Sequence, residues 1–150
     1  MAFISTFYGD QQVVPFATAP VTTGTNCPWY QAKMIIYTNT PQPAKTRVLA
    51  DLTQPTYAGY VAQTITWTTA IRDAAGLIAV LSNLITFREA GAITQTTVYG
   101  YAITDAAGTN LLGLEAFPSP LALTDALSVI SIVADIQLGI GVTGSATVTT

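Results

Sequence analysis

Apolar residues alternate with threonine, glutamine and serine along most of this chain. A period of two is typical of a pleated, half-buried β-strand, whereas a helix repeats its apolar positions every three to four residues. The first strand is predicted over residues 29–38, and it ends at 39–43 because the prolines there cannot continue a ladder. Further strands are predicted over 60–68, 77–89, 93–104, 111–117 and 127–138, with a turn around 89–91 joining the third predicted strand to the fourth.

Strands of this number and length, linked by short turns, predict an all-β fold. We expect an antiparallel β-sandwich, for which a jelly-roll-like arrangement is one candidate topology. In the 60–68 strand, Val61, Ile65 and Trp67 are predicted to share one face, opposite Ala62, Thr64 and Thr66. A helix over 69–81 is rejected because Gly76 and the β-branched flanks oppose it.

The two ends differ in composition from the middle of the chain. Residues 1–28 contain three prolines and two glycines among mixed aromatics, which predicts an extended N-terminal arm with at most one strand. Residues 29–138 are predicted to form the β-sandwich domain, and 139–150 a C-terminal tail of small and β-branched residues. Ends of this kind fray unless something holds them, so we expect a neighbouring subunit to do so.

One heptapeptide recurs with a single substitution. Residues 70–76 (AIRDAAG) return at 102–108 (AITDAAG), each between two strand-like segments. Asp accepts hydrogen bonds from turn N–H groups, and Gly adopts the positive φ that follows, so each copy predicts a hairpin loop. The alternative is a carboxylate pair, Asp73 and Asp105, at one end of a sheet, but neither copy has the alternating oxygen ligands of a calcium loop.

Charged side chains are scarce. The chain of 150 residues has 5 Lys plus Arg and 8 Asp plus Glu, against about 38 charged residues at ordinary usage. The net charge of −3 and the scattered basic residues predict no nucleic-acid partner. The most apolar stretch, 121–142, is interrupted by Asp125 and Asp135, so no membrane-spanning helix is predicted, and the first residues lack the features of a secretory signal.

The residue types that usually perform catalysis are missing or isolated. Histidine is absent, which removes the commonest general base, the Ser and Cys triads and most zinc sites. The acidic residues form no recognisable pair, and Cys27 has no histidine partner, so we interpret it as a small shielded side chain. We therefore predict a protein that is not an enzyme and that holds no metal and no cofactor.

Aromatic residues fall into two groups. Tyr57, Tyr60, Tyr99 and Tyr101 stand beside glycines, where they could line a sugar site, although packing across neighbouring strands is the favoured interpretation. The aromatics of the arm have no local core, and partner surfaces favour such residues. The predicted assembly contacts are Phe3, Phe7, Tyr8, Phe16 and Trp29.

Several short motifs resemble those of small structural proteins of tailed bacteriophages. They are residues 36–39 (IYTN), 49–53 (LADLT), 57–60 (YAGY), Trp67 and 98–108 (VYGYAITDAAG). The resemblance covers roughly residues 35–137 and implies a virion component that is assembled in the host cytoplasm. It implies no catalytic residue.

Together, these features predict a capsid decoration or minor capsid protein that forms homo-oligomers and binds the major capsid or other virion proteins. The alternative is a tail or spike domain that binds a host-surface glycan or protein. A third hypothesis is a self-assembling filament or shell subunit whose arms add strands to a neighbour's sheet.

Overall fold

The computed structural model describes residues 4–5, 28–41, 43–67, 71–72, 78–88, 95–124, 128–138 and 145–149. These residues form two antiparallel β-sheets that face each other, so the predicted antiparallel β-sandwich is confirmed. Within the described residues, a single 3-10 turn, Leu49–Asp51, is the one helical element. In chain order the strands are β1 (Ile4–Ser5), β2 (Lys33–Tyr37), β3 (Gln63–Thr64), β4 (Ile71–Arg72), β5 (Ile78–Leu81), β6 (Ile85–Arg88), β7 (Thr96–Thr104), β8 (Leu111–Leu123), β9 (Val129–Leu138) and β10 (Ser145–Thr149).

The first sheet has the order β1-β8-β7-β2-β3 and the second the order β10-β9-β5-β4, with β6 also paired to β9. Their facing sides enclose the main core, which includes Met34 and Ile36 from one sheet and Ile130 and Ile132 from the other. The outer face of the first sheet is buried as well. Its apolar residues pack under Leu52 of the loop that follows β2: Ile35, Tyr37, Ala102, Leu111 and Leu114.

Strand β8 continues past the point where its sequence predicts an end. The predicted strand ends at Phe117, yet β8 continues through Pro118 and Pro120, and its pairing with β7 resumes at Leu121. The ladder is interrupted between Gly100 and Val98, where β8 has extra residues, and both prolines lie there on the surface. A proline inside a bulge removes no ladder hydrogen bond, so the strand tolerates it.

The strand predicted over 77–89 is two strands, β5 and β6, which pair with successive parts of β9. The Ser82 N–H donates to the Ala134 carbonyl at 2.8 Å, and the Ala134 N–H donates to the Ser82 hydroxyl at 2.9 Å. The serine hydroxyl thus takes the place of a backbone acceptor at the point where the register on β9 shifts by one residue between β5 and β6. Strands β6 and β7 lie in different sheets, and the turn predicted at 89–91 lies outside the described residues.

The described parts of both chain ends pair within the chain itself. Ile4 and Ser5 lie opposite Leu114 and Gly113, and β10 pairs with β9 over 131–135. The C-terminal tail therefore contributes an edge strand to the sandwich. The sandwich thus extends beyond residue 138, where it was predicted to end. The rest of the predicted arm and tail lies outside the described residues.

Two of the predicted strands, 29–38 and 60–68, begin earlier in the prediction than in the structure. The first strand begins at Lys33 because residues 28–31 form a turn, in which Gln31 has a φ of 52°. In the 60–68 segment, Ile65 and Trp67 are buried on one face as predicted, but Val61 is 59 % exposed because the sheet ends before it.

Candidate functional site

Trp29 is the one predicted assembly contact that the structure describes. Its side chain is 2 % exposed, and its ring meets the Trp67 ring edge to face at 6.1 Å. The Trp67 Nε1–H donates to the Trp29 carbonyl at 2.7 Å. Trp29 therefore anchors the turn before β2 inside the core and is not placed as a surface anchor. The other predicted contacts, Phe3, Phe7, Tyr8 and Phe16, lie outside the described residues.

The four tyrosines considered for a sugar site serve the two cores. Tyr101 and Tyr57 are buried, and Tyr60 and Tyr99 are partly buried against the main and the outer core, respectively. The Tyr60 ring stacks on Phe87 at 6.1 Å. The Tyr60 hydroxyl accepts a hydrogen bond from the Ile36 N–H at 3.3 Å. It thus occupies the edge of β2 where β3 no longer pairs with it. Burial raises the pKa of the Tyr60 hydroxyl. These contacts are those of packing residues rather than of a surface platform.

Glu115 is a buried carboxyl group that faces the main core from β8. It is 4 % exposed, and its Oε2 accepts from the Tyr101 hydroxyl at 2.8 Å. Burial raises the pKa of Glu115, and the Tyr101 hydrogen bond opposes that shift in part. On the other face of the sheet, the Tyr37 hydroxyl donates to the Glu115 carbonyl at 2.8 Å, and burial raises the pKa of Tyr37.

Gly100 makes room for the Tyr37 ring. It lies between Tyr37 on β2 and Ala116 on β8, and a Cβ at this position would overlap both the Tyr37 hydroxyl and the Glu115 carbonyl oxygen. The tyrosine can therefore cross β7 only over a residue without a side chain. The Tyr99-Gly-Tyr101 motif is thus explained by close packing between three strands.

The loop that joins β7 to β8 is organised by Asp105, as the repeated heptapeptide predicts. Asp105 Oδ1 accepts from the Thr109 N–H at 2.8 Å, and Oδ2 accepts from the Asn110 side-chain amide at 2.7 Å. Burial alone would raise the pKa of Asp105, but these hydrogen bonds outweigh it and lower the pKa. Gly108 has a φ of +73°. The hairpin is confirmed for this copy. In the first copy, β4 pairs antiparallel with β5, and residues 73–77 between them, including Asp73, lie outside the described residues.

Metal-binding side chains do not converge within the described residues. Among them, no three acidic or cysteine side chains lie where they could hold a metal ion together. The Asp51 carboxylate lies 3.9 Å from the Arg47 guanidinium on the surface, whereas Glu115 and Asp105 have the separate hydrogen bonds described above. In the part of the chain that is described, no helix has the length and apolarity needed to cross a membrane.

Within the described residues, the surface around β3 is the longest exposed region without charge. Residues 52–71 contain no acidic or basic side chain, and most of 53–66 is exposed. Two of the three large apolar side chains exposed in the described structure, Val61 and Leu84, belong to this region or adjoin it. The run without charge is visible in the sequence, but its position at a sheet edge is not.

The backbone of this region shows which groups point away from the sheet. The Ile65 N–H donates to the Ala32 carbonyl at 2.8 Å, toward β2. The next residue, Thr66, points the other way, since its N–H donates to Asn83 Oδ1 at 2.9 Å and its carbonyl accepts from the Asn83 N–H at 2.8 Å. Because peptide groups alternate along a strand, those of Thr64 also point outward. The Gln63 N–H points toward β2, so the Ala62 carbonyl, which belongs to the same peptide group, points outward as well. We call this row, from Val61 to Thr66 with Asn83 and Leu84 at its end, the β3 edge.

No protein family, curated protein or solved structure matches this chain. The resemblance to structural proteins of tailed bacteriophages therefore stays a prediction from sequence motifs. What the fold defines is an antiparallel β-sandwich with two separate apolar cores and a neutral sheet edge.

Proposed function

We propose that this protein is a virion structural protein, a capsid decoration or minor capsid protein that binds neighbouring subunits through its arm and its sandwich surface. The observation that carries the proposal is the lack of charge on the surface. Because Asp105 and Glu115 are buried, at most eleven of the thirteen charged residues face the 7604 Å² of accessible surface, which is about 690 Å² or more for each. The charged residues that keep an isolated protein dispersed are therefore few, and interfaces are depleted of charge at their centres.

The motif resemblance suggests the particle to which the protein belongs. It points to tailed bacteriophages, in which contacts repeated by symmetry over a particle need little strength individually. A decoration protein works by burying neutral surface between capsid subunits, so it needs no reacting group. The partners under this proposal are the major capsid protein, other virion proteins and further copies of the same chain.

The alternative, a tail or spike domain that recognises a host glycan, has less support. Its motivation was a cluster of tyrosines, and Tyr57 and Tyr101 are buried while Tyr60 and Tyr99 pack against the cores. A glycan array on the purified protein separates the two hypotheses. A decoration protein binds capsids and ignores sugars, whereas strong and selective binding of one glycan would favour the alternative.

Localisation on the particle tests the proposal directly. An epitope-tagged copy is produced during particle assembly, and gold labelling is examined on purified particles by electron microscopy. We expect label distributed over the capsid shell. Label confined to the tail would favour the alternative, and recovery of all tagged protein outside the particles would refute a virion role.

The arm is tested by removing residues 1–28, which leaves Trp29 in the core. We expect a folded protein, judged by circular dichroism and tryptophan fluorescence, that no longer enters particles. Normal incorporation of this truncated protein would refute the role of the arm.

A pair of single variants separates binding from folding. Phe7→Ala should reduce incorporation without lowering thermal stability, whereas Phe87→Ala, in the main core, should cost about 3 to 5 kcal/mol of stability. Equal losses of stability in the two variants would show that Phe7 belongs to a core rather than to an interface.

A further inference from the structure

The β3 edge combines two features that natural sheet edges usually avoid. It exposes backbone groups at Ala62 and Thr64, and within the described residues it carries neither a charge nor a proline between these positions. Edge strands are normally protected by a charged side chain, a proline or a bulge, because an open edge is a template for another strand. By contrast, β8 has Pro118 and Pro120, and β4 includes Arg72.

The length of the edge is limited by the structure itself. At one end, Asn83 already occupies the outward groups of Thr66. At the other end, β3 begins at Gln63, whose side-chain amide donates to the carbonyl of Val61, a residue that lies outside the strand, at 3.1 Å. The open stretch therefore consists of Ala62 and Thr64, with the exposed Val61 and Leu84 near its ends.

The missing charge also determines what can bind there. A charged partner would bury its ion against a surface that offers no opposite charge, which is unfavourable. The neutral edge of a second copy meets this condition and has complementary geometry, because two identical antiparallel strands pair about a two-fold axis. In that arrangement, Ala62 of one copy lies opposite Thr64 of the other, and the two Gln63 residues meet at the axis.

We propose that two copies of this chain associate through their β3 edges, by antiparallel pairing of Ala62 with Thr64 across a two-fold axis. The Ala62 N–H and carbonyl exchange hydrogen bonds with Thr64 of the other copy, and the exposed apolar side chains at the ends of the edge lose contact with water. This inference goes beyond a virion role and does not depend on it, since it concerns the purified protein alone.

Sedimentation equilibrium of the purified full-length chain tests the association. We expect a concentration-dependent dimer whose dissociation constant changes little between low and high salt, because no charges meet in the interface. A chain that stays monomeric at all concentrations overturns the proposal. So does a dimer that dissociates steeply with added salt.

Charge reversal identifies the edge and the partner together. Ala62→Lys and Ala62→Glu should each weaken self-association about tenfold or more, because the two like charges then lie on diagonally neighbouring positions across the axis. An equimolar mixture of the two variants should recover association, since opposite charges then meet. A mixture that fails to associate, or single variants that dimerise as well as the wild type, would overturn the proposal.

Ser119→Lys is the matched control, because Ser119 is exposed on β8, which lies three strands from β3 in the same sheet. It adds the same charge away from the β3 edge and should leave the dimer unchanged. Equal weakening by Ser119→Lys would show a general effect of net charge and overturn the assignment to this edge. Circular dichroism melts of each variant confirm that the fold is retained.

Discussion

Replacing Gly100 by alanine should destabilise the protein far more than a single methyl group usually does. The added Cβ would overlap the Tyr37 hydroxyl on one side and the Glu115 carbonyl oxygen on the other. The tyrosine can move, but it then gives up the 2.8 Å hydrogen bond to that carbonyl. The carbonyl belongs to the β8 backbone, which is held by its pairing with β7 and cannot retreat without disturbing the ladder.

The magnitude follows from these two contacts. Overpacking a tight site costs about 1 to 3 kcal/mol, and loss of a buried hydrogen bond adds about 1 kcal/mol or more. We therefore expect Gly100→Ala to lose about 3 kcal/mol, which for a chain of this length lowers the Tm by roughly 10 °C. In an unconstrained strand the same substitution would stabilise by about 0.5 to 1 kcal/mol, so the sign itself is diagnostic.

Urea unfolding followed by tryptophan fluorescence measures the effect, with Gly108→Ala as the matched control. Gly108 has a positive φ of +73°, but a Cβ there meets nothing closer than the Lys33 Nζ at 4.0 Å. Gly108→Ala should therefore lose only the free energy of placing a non-glycine residue at a positive φ, about 1 kcal/mol. The difference between the two variants thus isolates the steric overlap at position 100.

A double variant distinguishes the two overlaps. Tyr37→Phe removes the hydroxyl, so Gly100→Ala should cost less in that background than in the wild type. The overlaps with the Glu115 carbonyl and with the ring carbon Cζ of residue 37 remain, so the double variant should still be less stable than Tyr37→Phe alone. Wild-type stability for Gly100→Ala, or a loss no larger than that of Gly108→Ala, would refute the close crossing of Tyr37 over β7.

Three further predictions concern buried polar groups. Asp105→Asn should cost about 2 kcal/mol at neutral pH, because the loop donors lose a charged acceptor. The folded pKa of Asp105 is lowered, so its stabilisation is present above the unfolded pKa and is lost as pH falls through the folded pKa. In thermal melts at acid pH, the stabilities of the wild type and of Asp105→Asn should therefore converge. Glu115→Gln should be more stable than wild type at neutral to alkaline pH in urea titrations. The raised pKa of Glu115 means that its contribution to wild-type stability is largest below the unfolded pKa and declines as pH rises through the folded pKa. Ser82→Ala should cost about 1 to 3 kcal/mol in urea unfolding, because the buried Ala134 N–H loses its acceptor.

Asp105→Asn and Ser82→Ala each have a matched control variant, and Glu115→Gln is judged by its pH dependence. Asp51→Asn alters a half-exposed ion pair and should change stability by at most about 1 kcal/mol, so an equal loss would argue against a special role for Asp105. Ser119→Ala lies on the surface and should be neutral, unlike Ser82→Ala. A Glu115→Gln variant that keeps the full wild-type pH dependence would show that another group controls stability in that range.

The local features of this protein could be predicted from its sequence. Alternation of apolar residues with threonine identified the β class, and β7 and β9 lie where the pattern places them, with small shifts at their ends. The Asp105 hairpin follows from turn chemistry, since the aspartate and its donors lie within five residues. Such features depend on neighbours along the chain, so a short stretch of sequence contains their physical cause.

Other features depend on residues that meet only after folding. Ser82 and Ala134 are 52 residues apart, Trp29 and Trp67 are 38 apart, and Tyr37 and Glu115 are 78 apart. No periodicity reports such partners, so Trp29 was expected on the surface and is in the core.

The sequence by itself determined that the chain is a β-protein with little charge and a turn built by Asp105. Tertiary structure alone decided that two prolines fit inside β8, that Glu115 is buried beside Tyr101, and that the uncharged run lies at the β3 edge. The physical reason is that strand formation and turns follow local preferences, whereas burial and exposure of an edge depend on which strands become neighbours.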